Sequence, residues 1–234
     1  MNGAAGAHEG VGGTGGKGGS APAHSGAVQA SAHAADRLRT MIADGALAPG
    51  AKLSEQALSG ELGISRNTLR EAFAMLAAEN LVARLPNRGG FVTDPTADDV
   101  RDLYAARLVL ETGAVLWGEL DGPAVARLRE IVAAALTAVE AGDAPTIADA
   151  NQRFHREIVA AAGSRALLAE MDRALARMRL VFHAMTDEPG FHAGYAHRNS
   201  EVLAALEAGD RARAVELLRD SLSAARDEIL ARVG

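Results

Sequence analysis

The chain has 234 residues, with 24 Lys plus Arg against 30 Asp plus Glu, a formal charge of −6 and no cysteine. The missing cysteines exclude a disulfide-stapled scaffold and any thiolate metal site. No apolar run reaches the roughly 18 residues of a bilayer span and the first residues hold no apolar leader segment, so the expectation is a cytoplasmic protein without a membrane partner. Hydrophobic residues make up 48% and aromatics only 3%, so a core has to be built from Ala, Leu, Val and Ile, which is helix-bundle material and predicts a mainly α fold. The acidic total argues against nucleic acid as a partner, because phosphate recognition needs basic surface.

Residues 1–30 hold ten of the 25 glycines and almost no apolar side chain larger than Ala, which predicts a disordered Gly/Ala-rich tail. Gly16, Lys17 and Gly18 suggest a phosphate loop only in outline: Val11 stands at the first glycine position, Gly18 replaces Ser or Thr, and no strand precedes. From Ser31 onward Ala35, Leu38 and Ile42 recur at helical spacing until Gly45, Pro49 and Gly50 stop the helix. Ser54 can cap a second, short helix that turns Leu58 and Leu62 inward and ends at Gly63. Ser65 then opens a third, with Leu69, Phe73 and Leu76 on its apolar face, and two short helices around a tight Gly-containing turn are the helix-turn-helix pattern. Leu81, Val82 and Leu85 before a Pro/Asn/Gly break, and Phe91 and Val92 after it, predict a β-hairpin. Three helices and a hairpin over residues 31–95 make a winged helix-turn-helix domain.

From Thr96 the text changes to long amphipathic segments, with helices predicted at about 98–119, 123–141, 146–162, 164–186, 191–208 and 210–232. Residues 97–234 therefore read as an all-helical bundle domain.

In SRNTLRE, Arg66 and Arg70 lie four apart on one helix face. A recognition helix contacts base edges with its N-terminal residues, and Arg can hold guanine by two hydrogen bonds. Ser65 and Thr68 suit phosphate contacts through their hydroxyls and the free amides of the helix start. At the wing tip Arg88 suits phosphate or the minor groove, and Gly89 allows close backbone approach. The run DRLRTMIADGALAPGAKLSEQALSGELGISRNTLREAFAMLAAENLVARLPNRGGFV resembles the DNA-binding domain of the GntR family of bacterial transcription regulators, most strongly in PGAKLSE, LGISRNTLREA and PNRGGFV. The resemblance implies DNA contacts from Ser65, Arg66, Arg70, Arg88 and Gly89, while Gln56 stands where some members carry an arginine.

Several helices of the second domain place a polar residue on the face that should be buried. Arg107 goes with Leu103, Leu110 and Ala114; Asn151 and His155 with Ile147 and Ile158; Asn199 with Tyr195, Val202 and Leu206; Ser221 with Ala214, Leu218 and Ala225. Inward polar groups cost free energy unless satisfied, so either they satisfy one another or they converge on a pocket for something polar, and five on four helices favour a shared pocket.

The helix order, with YAARLVLET, NQRFHREI and EVLAALEAGDRARAVELL, is similar to the FCD effector-binding domain of the FadR-like branch of that family. In many such domains an Asp four residues before a His, with two further His, holds a divalent metal. His155 matches, but Asn151, Asn199 and Ser221 stand at the other three positions, and His197, two residues from the expected place, would face away. His183 and His192 are near in sequence only. One imidazole with amides and a hydroxyl lacks an anionic ligand, so no metal is expected to be required, and any that bound would rest on His155 with Asn151 and Asn199. A small anionic, carboxylate-bearing effector is expected instead, held by Arg107 and, as the resemblance implies, Arg177, since Arg pairs with carboxylate through two bonds.

These readings converge on a DNA-binding transcription regulator, usually a repressor in the family it resembles. It would be a homodimer, because two recognition helices related by a two-fold axis read a palindromic operator. The rival reading is an enzyme with a catalytic helical domain and a winged helix used for docking. It would need a nucleophile–base pair or a complete ligand set, and the sequence shows neither. The charge resolves by region: residues 31–96 balance seven cations with seven acids, whereas residues 97–234 set 16 arginines against 22 acids and carry the whole −6.

Overall fold

The computed structural model describes residues 21–86, 88–183 and 193–233. Nine helices and three short strands run in the order α1 Ala21–Ala43, β1 Lys52–Leu53, α2 Glu55–Leu62, α3 Arg66–Ala78, β2 Val82–Leu85, β3 Gly89–Val92, α4 Ala97–Trp117, α5 Gly122–Ala141, α6 Ala144–Ala160, α7 Arg165–His183, α8 Ala193–Glu207 and α9 Arg211–Val233 among the described residues.

Local chemistry sets the boundaries of the first unit. Ser54 accepts the Ala57 amide at the start of α2, and Gly63, at φ 67°, closes that helix in the left-handed region where a side chain would be strained. Two residues later the Ser65 hydroxyl accepts the Thr68 amide and starts α3. The hairpin is present, and β1 adds a third strand: Leu53 faces Gly90, giving the antiparallel order β1-β3-β2. Leu38, Ile42, Leu53, Leu58, Leu69, Phe73, Leu76 and Val92 fill the core beneath.

One boundary needs correction. Residues 21–30, read as the end of a disordered tail, form the first ten residues of α1. The stretch is rich in Ala, the best helix former, its Pro22 falls in the first turn where a missing N–H costs nothing, and extending a helix already nucleated by the buried Ala34 and Leu38 adds one hydrogen bond per residue fixed. The remainder of the tail lies outside the described residues.

The six predicted helices of the second unit are all present. A Thr96–Asp99 capping box starts α4, and Asp121 and Asp143, each with Pro in the following turn, start α5 and α6. At the far end of α4, Arg211 of α9 donates from Nη1 to the carbonyls of Val115, Leu116 and Gly118. Those carbonyls have no partner within their own helix, so a guanidinium there ties α9 to α4. Phe154, Ile158, Leu128, Met171, Val202 and Leu218 are wholly buried in the bundle core. Leu180 of α7 is buried instead in the core of the winged helix, with Ala176 packed against it, so the two units share apolar surface.

Candidate nucleic-acid interface and buried polar centre

The third helix presents Ser65, Arg66 and Arg70 at the surface, with Thr68 half-buried beside them. Ser65 Oγ and Thr68 Oγ1 lie 2.9 Å apart, so both predicted phosphate-contacting hydroxyls stand at one helix start. Arg66 makes no hydrogen bond or ion pair among the described residues. Arg70 is already engaged: its Nε lies 3.1 and 3.0 Å from the two carboxylate oxygens of Glu55, and Nη2 is 2.9 Å from Oε2. That bond holds the Glu55 carboxyl below its ordinary range, and the charges of Arg70, Arg66 and Arg84 add to it. Glu55 and Arg84 were not singled out from sequence. No spacing rule links residue 55 to residue 70, because they meet only when α2 folds across α3. On the wing, Arg88 lies over the Phe91 ring at 5.7 Å and Gly89 takes φ 91°. The exposed cations Arg66, Arg70, Arg84 and Arg88 thus belong to the recognition helix and the hairpin.

Two of the inward polar residues of the helical domain, Arg107 and His155, meet at a residue not singled out from sequence. Glu111 is fully buried; its Oε1 accepts from Arg107 Nε at 2.8 Å, and its Oε2 lies 2.6 Å from His155 Nδ1. Arg107 also lies over the Tyr104 ring at 5.2 Å. Glu111 could have been found, for it stands four residues after Arg107 on the same helix face. Beside this trio Asn199 donates its amide to Asn151 Oδ1 at 2.9 Å. Ser221 is buried on α9, and no hydrogen bond joins it to the group.

Burial alone would push the Glu111 carboxyl up, but Arg107 and His155 outweigh it and hold the group below its ordinary range. For His155 burial is the largest influence, and Arg107 adds to it; together they hold the imidazole below its usual value despite Glu111. The directions describe a charged Arg107–Glu111 pair with a neutral histidine. A carboxylate can only accept, so His155 carries its proton on Nδ1 and leaves Nε2 as an acceptor. Arg107 Nη2 is buried without a hydrogen-bond partner.

Arg177 does not join this centre. Its guanidinium lies 3.9 Å from Asp99 and 3.7 Å from Asp102, at the beginning of α4. Spacing places it on a helix face but cannot say which neighbour that face meets. The metal set implied by the FCD resemblance also fits poorly: Asn151 spends its carbonyl oxygen on Asn199, His155 spends Nδ1 on Glu111, and an amide and a hydroxyl supply no charge. His197 is exposed, as its spacing predicts, and His192 lies outside the described residues.

Comparison with known proteins places both units. Residues 30–92 match the family model described as bacterial regulatory proteins, gntR family, and residues 102–224 match the FCD domain. The chain is 35% identical over 138 residues to the HTH-type transcriptional regulator BphR of Paraburkholderia xenovorans, an alignment covering 55% of this chain and 56% of that one, so it spans about half the length of that relative. It is 32% identical over 174 residues to the probable D-xylose utilization operon transcriptional repressor of Paenarthrobacter nicotinovorans, covering 72% and 75%. A crystal structure of a GntR transcriptional regulator from Rhodococcus sp. RHA1 superposes with a TM-score of 0.79 at 36% identity, over 87% of this chain and 99% of that one. A winged helix with cationic side chains on its recognition helix, joined to an FCD bundle and surrounded by relatives that are regulators rather than enzymes, leaves one conclusion: the chain belongs to the GntR family and is a DNA-binding transcription regulator.

Proposed function

We propose that the chain is a homodimeric repressor that reads a palindromic operator and whose affinity for it is set by a small carboxylate-bearing effector bound in the helical domain. The observation that carries this reading is the buried centre itself. Arg107 keeps an unpartnered Nη2 in a site where Nε is already balanced by Glu111. A buried donor without a partner is costly, and a ligand carboxylate on Nη2 would satisfy it, with His155 Nε2 available to a ligand hydroxyl. Asn151, Asn199 and Ser221 are further buried polar groups on three helices. The effect reaches DNA through α7, whose Leu180 sits in the winged-helix core, so a shift of the bundle moves the unit that carries α3. The repressor role rests on the relatives named as repressors, among them the D-xylose operon protein and the gluconate operon repressors of Bacillus. A bacterial regulator of this kind works in the cytoplasm, and among the described residues no helix is long and apolar enough to cross a membrane.

Self-association is supported by α4, which exposes Val109 at 73%, Leu116 at 46% and Trp117 at 87%. Gly113 lies between them on the helix, and a Cβ there would meet nothing within 4 Å, which leaves room for a second helix to approach. Exposed apolar groups clustered in this way mark interaction sites. No metal enters the proposal, because the donor set lacks an anion.

One titration series tests the reading. Small carboxylates are screened for a rise in Tm and for a change in operator affinity by shift assay, since a ligand that binds only the folded state stabilises it. An acid that does both supports the proposal, and a flat response across a broad acid panel overturns the effector site. The same samples, diluted, report assembly through Trp117, the single tryptophan: an emission shift to the red on dissociation is expected, and a concentration-independent spectrum of a monomer would refute the homodimer.

A further inference from the structure

A cavity of about 550 Å³ lies between the winged helix and the bundle and shares no lining residue with the Arg107 centre. One wall is the second half of α1 with Leu81; the other is the middle of α6 and α7. The volume falls within the roughly 300–1,000 Å³ of small-molecule sites. Ile42, Leu81, Leu175 and Ala176 give it an apolar floor.

Most of its charges are already matched. Arg39 holds Glu79 through Nε and Nη2 and Asp36 through Nη1. Arg156 holds Asp172, and Arg179 holds Asp149 at 3.2 Å and Gln152 Oε1 at 2.8 Å. Two lining side chains have no hydrogen bond or ion pair among the described residues: Arg153 on α6 and Asp44 just past the end of α1. Either alone is an ordinary surface charge. They stand, however, on different units and line the same cavity, one positive on the bundle wall and one negative on the winged-helix wall. Gln152, only 7% exposed, also lines it, and with Oε1 taken by Arg179 its amide nitrogen remains as a donor beside Arg153.

We propose that this cleft binds a zwitterionic amino acid with an apolar side chain, its carboxylate on Arg153 and the Gln152 amide, its ammonium on Asp44, and its side chain on the Leu81–Leu175 floor. A simple anion would meet the uncompensated Asp44 and a simple amine would meet Arg153, so only a ligand carrying both charges matches both walls. Because the two anchors belong to different units, the ligand fixes the placement of the winged helix on the bundle, and operator affinity responds through an input separate from the effector at Arg107.

The test is calorimetry on the full chain with L-leucine, L-methionine and L-phenylalanine, against N-acetyl-L-leucine, which lacks the ammonium, and leucinamide, which lacks the carboxylate. At least one free amino acid is expected to bind, with each blocked form weaker by about tenfold. Arg153→Gln and Asp44→Asn are each expected to weaken that binding by about tenfold while Tm and the response to small carboxylates stay as in the parent protein. No binding of any free amino acid at millimolar concentration overturns the proposal. So does binding that both variants leave intact, which would place the ligand elsewhere. Loss of the small-carboxylate response in the same two variants would also overturn it, because the two inputs would then be one site. A flat small-carboxylate panel with amino-acid binding intact would remove the Arg107 effector and leave the cleft standing.

Discussion

Two arginine–glutamate pairs divide the molecule. On the surface of the winged helix Arg70 meets Glu55 across two helices, in water; inside the bundle Arg107 meets Glu111 within one helix, with side chains 3% and 0% exposed. The contacts are alike in chemistry and length, and their surroundings make them opposites. Water and salt screen the exposed pair, so it contributes little to folding and its carboxylate can be exchanged for another anion. The buried pair was stripped of water when the bundle formed, so neither partner can be removed without stranding the other. A surface arginine is therefore available to a ligand because its carboxylate is replaceable. The buried one is available only through the donor its carboxylate leaves over, Nη2.

The sharpest way to break this contrast is Glu111→Leu. Arg107 would keep a buried charge without compensation and His155 would lose the acceptor at Nδ1, so folding stability should fall by about 3–5 kcal/mol. Denaturant unfolding measures it. The double replacement Arg107→Met with Glu111→Leu, which removes both charges and fills the space, should recover most of the loss. A single variant within about 1 kcal/mol of the parent would mean that water reaches the centre and that the two pairs do not differ in kind.

The next effect belongs to the surface. Arg66→Ala and Arg70→Ala should each weaken operator binding by about ten- to hundredfold, with random DNA affected less, if their guanidinium groups read bases. Arg88→Ala should weaken operator and random DNA alike and lower the salt slope by about one, as expected for a phosphate contact. All three should unfold like the parent, because the side chains are exposed. Unchanged operator binding in both helix variants at fixed salt would remove α3 from the interface.

The same contrast explains what could be read from sequence. The winged helix was legible because its determinants are local: Ser54, Gly63 and Ser65 fix where helices start and stop, and Leu69, Phe73 and Leu76 fix which face of α3 is buried, with Arg66 at the exposed helix start and Arg70 beside that face. The strand β1 was missed because two residues carry no period; it exists only by pairing with β3. In the bundle, spacing found Arg107, Asn151, His155, Asn199 and Ser221 as inward groups, and all five are buried. Their partners were harder. An inward Glu111 looks like a polar break in the pattern until Arg107 and His155 are known to flank it, and Arg177 met Asp99 and Asp102 because helix packing, which no single-helix period encodes, turns that part of α7 toward the start of α4. Residues 21–30 have the small side chains of a tail, but their alanines favour helix and they extend α1.

The smallest expected effect bears most directly on how the exposed pair works. Glu55→Gln keeps the shape of the side chain and removes its charge, so Arg70 loses its anion and the local field near the phosphates becomes more positive. If Glu55 merely occupies Arg70 until DNA displaces it, operator and random DNA should both bind tighter, by about two- to fivefold at low salt, with the gain fading as salt rises. The ratio of operator to random affinity should then fall slightly, because a guanidinium no longer held at Nε and Nη2 samples more rotamers before it meets a base. Titration of both DNAs at two salt concentrations reads all of this. Weaker operator binding with random DNA unchanged would reverse the assignment. Glu55 would then be aiming the Arg70 fork in the complex, and the surface pair would resemble the buried one in being a fixed part of the site.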